Sequence, residues 1–242
     1  MTKGNSVAIG TPYGNFIRGN KDKLMISYRR EPSHDYTMRA ACGVLFQGEI
    51  HFFGGYPVTY PYKGIDFTRQ HFVIETKRTG QLVKMSKKED LEIGIAGASC
   101  SSFEPKFVVL CFDFYHQKSC YSFDGQLNYI GDSNYEHFDG GLTKYKGSLL
   151  TVGSKSTQKI EITKINENSK ISWSVEPDFN FIQGKNIECH SLVTVKSSDI
   201  NEEYVLLIGG RTHMYMATEN VFKFNGNWSF FGKLNKMHLG HS

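Results

Sequence analysis

Apolar residues in this chain gather in short runs separated by glycine, asparagine, aspartate and serine. Phe107-Val-Val-Leu-Cys-Phe112 is the longest uninterrupted run, and Tyr204-Val-Leu-Leu-Ile208 has the same character. Both are the length of a strand, and their near-continuous apolarity predicts strands buried on both faces. Four segments follow one plan: an apolar strand, a turn, a second strand ending in small residues, and an outer pair around a tight turn.

The first segment runs through Arg39-Ala-Ala-Cys-Gly-Val-Leu-Phe-Gln-Gly-Glu-Ile-His-Phe-Phe-Gly-Gly55, with a turn at Gln47-Gly48, and continues with His71–Thr76 and Gln81–Lys84. The fourth repeats it as His190–Val195, Tyr204–Gly210, Asn220–Phe224 and Asn227–Phe231. The middle two, from Ala98 and from Gly140, lack the double glycine that closes the second strand at Gly54-Gly55 and Gly209-Gly210. Paired glycines there point to positive φ and close backbone approach. Phe123-Asp-Gly-Gln and Phe224-Asn-Gly-Asn predict two-residue hairpin turns in the outer pairs.

Cys42, His137, His190 and His241 occupy a slot just before the first strand of each unit. Their gaps are 95, 53 and 51 residues, and half of 95 is one further repeat. A period of roughly 50 residues with four strands per unit is the signature of kelch-type propeller blades. The pattern Arg-x-x-(His or Cys)-Gly/Ser, an apolar strand, a closing Gly-Gly and an outer-strand Trp228 resembles the kelch repeat of the galactose-oxidase-like propeller superfamily, over about residues 39 to 242. The resemblance implies an all-β, kelch-type β-propeller of about four blades of four antiparallel strands, used mainly to bind proteins.

The expected repeats are 39–92, 93–136, 137–189 and 190–240, with 1–38 an N-terminal extension or degenerate blade. Lys236-Met-His-Leu-Gly-His-Ser242 restarts the motif, which predicts an incomplete ring whose open edges favour self-association.

Composition narrows the function. A net charge of +4, from 28 basic and 24 acidic residues spread along the chain, lacks the concentrated basic face of a nucleic-acid binder. No run approaches the roughly 20 apolar residues of a spanning helix. Met1–Asn5 lacks the apolar stretch of a secretory signal, so an intracellular location is the default expectation.

Cys111 and Cys120 fall on consecutive strands and are a candidate disulfide, with Cys42 and Cys100 a conceivable second; a bonded pair would indicate export. The recurring His137, His190 and His241 read as structural, bonding backbone of a neighbouring blade rather than metal. No cofactor, metal set or catalytic constellation is assigned, so the reading is a non-enzymatic protein-binding scaffold. An oxidase or carbohydrate-active enzyme of the same superfamily is the alternative. Tyr56, Tyr60, Tyr62, His213 and Tyr215, in loops between strands, are the candidate partner-binding residues. Asn227-Trp-Ser is a glycosylation sequon, meaningful only on an exported chain; it falls in a predicted strand beside the turn, whereas acceptor sites normally lie in exposed loops, so it reads as a chance occurrence.

Overall fold

The computed structural model describes residues 16–20, 23–27, 38–39, 41–57, 69–76, 82–103, 105–154, 156–165, 170–177, 186–197, 202–212 and 216–238. A hairpin of β1 (Phe16–Asn20) and β2 (Lys23–Ser27) comes first, followed by the short β3 (Met38–Arg39). Blade 1 is β4 (Cys42–Phe46), β5 (Glu49–Phe53), β7 (His71–Thr76) and β8 (Leu82–Lys87), with β6 (Tyr56–Pro57) between them pairing β3. Blade 2 is β9 (Ser99–Phe103), β10 (Phe107–Cys111), β11 (Ser119–Phe123) and β12 (Leu127–Asp132). Blade 3 is β13 (Gly141–Tyr145), β14 (Ser148–Val152), β15 (Ile160–Ile165) and β16 (Ile171–Glu176).

Blade 4 is β18 (Ser191–Ser197), β19 (Glu202–Ile208), β21 (Met216–Phe224) and β22 (Trp228–His238). Beside it β17 (Ile187–Glu188) pairs β20 (Arg211–Thr212), the same device as β3 with β6. Each blade is an antiparallel meander, and the four form a β-propeller. No helix among the described residues is long and apolar enough to cross a membrane.

Register corrects the spacing expected from the sequence. Cys42, Ser99, Gly141 and Ser191 are the equivalent first residues, facing Phe53, Cys111, Val152 and Ile208. Cys42 thus lies inside its strand, His190 one residue before its own, and His137 four before. Residue type alone concealed the offset, because His137 reaches its partners from a longer loop.

The residue after the second strand is left-handed in every blade: Gly54 (φ 65°), Phe112 (66°), Gly153 (62°) and Gly209 (63°). In each, its N–H donates across the following loop, to Gln70, Ser119, Lys159 and Asn220 carbonyls respectively. A Cβ on Gly54 would run into the Ile95 carbonyl, which accounts for glycine there. The next position is a second left-handed glycine in blades 1 and 4, Gly55 and Gly210. Blades 2 and 3 have Asp113 and Ser154 instead, whose side chains accept backbone N–H groups two and three residues on. The middle blades keep the turn by different chemistry, which is why the double-glycine search finds them loose.

The Asp-Gly and Asn-Gly turns are three residues long, since Phe123 pairs Leu127 and Phe224 pairs Trp228. Only the glycines, Gly125 and Gly226, have positive φ, whereas a two-residue turn of the expected type needs it at both central residues. That geometry occurs at Gln47-Gly48 and Lys146-Gly147 instead.

Three apolar clusters fill three blade junctions. Val108 and Leu110 of β10 join Phe46, Phe53 and Leu91 against blade 1, while Val109 and Cys111 join Leu142, Leu149 and Trp173 against blade 3. Leu150 and Val152 meet Val205, Leu207, Phe222 and Phe224 in the third. Trp228 packs on this cluster, 5.0 Å from the Phe224 ring. In β19, Val205 and Leu207 are buried but Tyr204, Leu206 and Ile208 only half so. Among the described residues, blade 4 buries one face of this strand more deeply than the other.

Candidate functional site

Antiparallel meanders send the loops between second and third strands, and the links from blade to blade, to the same end of the propeller. Tyr56 lies in the first such loop, where β6 is defined by its backbone. Tyr60, Tyr62, His213, Tyr215 and His241 lie outside the described residues.

The best-defined part of this end is the blade 2 loop. The Asp113 carboxylate accepts from the backbone N–H of Tyr115 (2.9 Å) and His116 (3.2 Å), and pairs with the His116 ring at 3.0 Å. This tight turn turns Phe114 and Tyr115 outward, 40% and 60% exposed. Phe114 meets Tyr115 and Phe138 edge to face, with centroids 5.4 and 5.3 Å apart. Its N–H donates to the Ala96 carbonyl at 2.9 Å, joining the loop to the blade 1–2 link. Gly97 leaves room for the Phe138 ring, which a Cβ would approach to 2.7 Å. The sequence reading missed Phe114, Tyr115 and Phe138; the aromatic run Phe112-Asp-Phe-Tyr-His116 is the signal that could have found the first two.

The neighbouring link is held from below by Glu161, fully buried with His137. Glu161 accepts from Asn134 N (3.0 Å), Asn134 Nδ2 (2.6 Å), Tyr135 N (3.0 Å) and His137 Nε2 (2.8 Å). Burial alone would raise its carboxyl pKa, but these donors hold it below the usual carboxylate value. His137 Nδ1 faces the Gly153 carbonyl at 2.9 Å, so its partners lie on blade 3 itself rather than on a neighbour. His190, also buried, packs against Gly141 and Gly153 of the neighbouring blade.

Burial, then the nearby His137, push His190 down to about 3 against the pull of the Val152 carbonyl. In blade 1 the buried His71 lies 3.0 Å from the His51 ring nitrogen and stacks on Phe53. Burial, then the charges of His51 and Lys88, push it down to about 4.

Unfolding returns both imidazoles to their ordinary 6.5, where the unfolded chain binds protons that the folded chain refuses. Stability is therefore complete above about pH 6.5 and falls as pH drops toward 4 and then 3. Glu161 adds a loss of the same sign below its ordinary 4.5, because its folded carboxyl ionises more readily than its unfolded one. Urea midpoints should accordingly be lower at pH 5 than at pH 7.5; equal midpoints would refute this assignment.

Asp139, Glu188 and Cys189 bring ligand-type atoms within 4.8 Å of one another at the junction of blades 3 and 4. Asp139 and Cys189 are equivalent left-handed residues, joined by the Cys189 N–H to the Asp139 carbonyl at 2.7 Å. Glu188 is ion-paired with Arg211 at 2.8 Å. Burial, then the Asp139 charge, push the Cys189 thiol up to about 11 despite Arg211, which keeps it protonated at neutral pH. These residues make a structural junction.

Cys111 and Cys120 are bonded within blade 2, and Cys42 with Cys100 between blades 1 and 2. Two disulfides are compatible with an extracellular location.

No protein-family model matches this chain, and no curated protein matches it. A solved structure entitled "Structure of YjhT" is similar, with a TM-score of 0.65 over 90% of this chain and 77% of that one, at 12% identity. Likeness at that identity concerns architecture, and together with the four antiparallel sheets it makes this chain an all-β, four-bladed β-propeller.

Proposed function

We propose that this propeller is of the kelch type and works without catalysis, as a scaffold that binds a protein through the loop end of blades 1 to 4. The observation that carries the reading is the aromatic cluster of exposed Phe114 and Tyr115 on half-buried Phe138, held by Asp113 and the Ala96 carbonyl. Rigid aromatic side chains give large contact area at little entropic cost and dominate binding energy at interfaces. Tyr56, Tyr60 and Tyr62, which fall between β5 and β7 in the sequence, and His213 and Tyr215, which fall between β20 and β21, are the further contact residues of this proposal. The kelch assignment is supported by the closing Gly54-Gly55 and Gly209-Gly210, their left-handed equivalents in the middle blades, and the packed Trp228.

The test is affinity capture and cross-linking of the native chain against Phe114→Ser/Tyr115→Ser. The double variant should weaken capture of the recovered partner by roughly tenfold or more, as expected for interface anchors. Tyr129→Ser, a change at an exposed outer-strand tyrosine, should leave capture unchanged. Equal capture by the native chain and the double variant would overturn the proposal.

A further inference from the structure

Asn227-Trp228-Ser229 is the one Asn-x-Ser/Thr triplet in the chain. The structure moves its asparagine out of the strand where the sequence pattern places it. Phe224 pairs Trp228, so Asn225, Gly226 and Asn227 form a turn beyond the ladder. All three are exposed, as is Ser229, while Trp228 turns inward onto the blade 3–4 core. The Asn227 carbonyl accepts from the Asn225 N–H at 3.2 Å, and its side-chain amide makes no hydrogen bond among the described residues. The turn joins a third strand to a fourth, so it lies at the end of the propeller opposite the aromatic loops.

We propose that Asn227 is an N-glycan acceptor. An acceptor asparagine must present its amide to a transferase, with the hydroxyl two residues on also within reach, and an exposed hairpin tip does this. The second, independent observation is that four of the five cysteines are bonded in two disulfides, chemistry that belongs to the oxidising compartments where such transferases act. The donor is a lipid-pyrophosphate-linked oligosaccharide. Asn227 Nδ2 attacks C1 of its first sugar; the C1–oxygen bond breaks, the new nitrogen–C1 bond forms, the amide gives up one proton and the lipid pyrophosphate departs. A glycan here would project from the rim without covering the loop end.

The experiment uses the chain purified from its natural source. Treatment with a glycan-releasing amidase in heavy-oxygen water converts a glycosylated asparagine to labelled aspartate, and peptide mass spectrometry then reads residue 227. Labelled aspartate is expected in the majority of copies, and only after amidase treatment. Ser229→Ala expressed in the same cells should retain both disulfides and yield unlabelled Asn227. Unlabelled asparagine at 227 in the natural chain overturns the proposal.

Discussion

Replacing Glu161 by alanine should destabilise the folded chain by about 3 to 5 kcal/mol, the cost of removing one partner from a buried charged network. The carboxylate is fully buried and ends four hydrogen bonds, two from backbone N–H groups and two from the side chains of Asn134 and His137. Without it, the buried His137 Nε2 and the Asn134 and Tyr135 N–H groups lose their acceptor, Asn134 Nδ2 keeps only the Trp173 carbonyl, and a cavity replaces the carboxylate. Glu161→Gln keeps the shape and one acceptor oxygen, so its loss should be smaller. Urea unfolding, with midpoint and slope both recorded, checks the ranking. A loss below about 1 kcal/mol for Glu161→Ala would mean that water or a shifted loop replaces the carboxylate.

Cys42→Ala should rank next, at about 4 kcal/mol, and Cys111→Ala should cost about 3 kcal/mol, from the loop each bridge closes. The two bridges span 58 and 9 residues, so the first restrains far more of the unfolded chain. It also joins blades 1 and 2 at their inner strands, whereas the Cys111–Cys120 bridge lies within a blade already held by its strand ladder. Unfolding each variant under non-reducing conditions measures the difference. A larger loss for Cys111→Ala than for Cys42→Ala would show that native-state packing outweighs loop closure here.

Much of this architecture was legible because its cause is local. Strands such as Phe107–Cys111 are apolar at every position because each side of the blade meets a neighbour, and that pattern can be read without coordinates. Turn positions were legible where glycine marks them, as at Gly54 and Gly209, and obscure where Phe112 takes the same left-handed φ. No composition rule signals a phenylalanine in that conformation; it is imposed by the ladder on one side and the Ser119 carbonyl on the other.

The binding face was less legible. Tyrosine-rich loops drew attention to Tyr56, Tyr60 and Tyr62, while Phe114, Tyr115 and Phe138 come together across a blade-to-blade link, 23 residues apart in sequence at their nearest. Likewise the histidines promised a repeated backbone contact; His137 has one, at the Gly153 carbonyl of its own blade, but it also serves a buried carboxylate, and His190 sits in a glycine-lined cradle.

By itself, then, the amino-acid order determined the strands, their grouping in fours and the junction-filling apolar faces. These follow from side-chain periodicity and turn chemistry within some fifty residues of chain. Only the tertiary structure decided which cysteines bond, which loop presents its aromatics, and that Asn227 stands in a turn rather than in a strand. Those outcomes depend on register between strands and on packing between blades, where a shift of one residue carries a side chain from core to solvent.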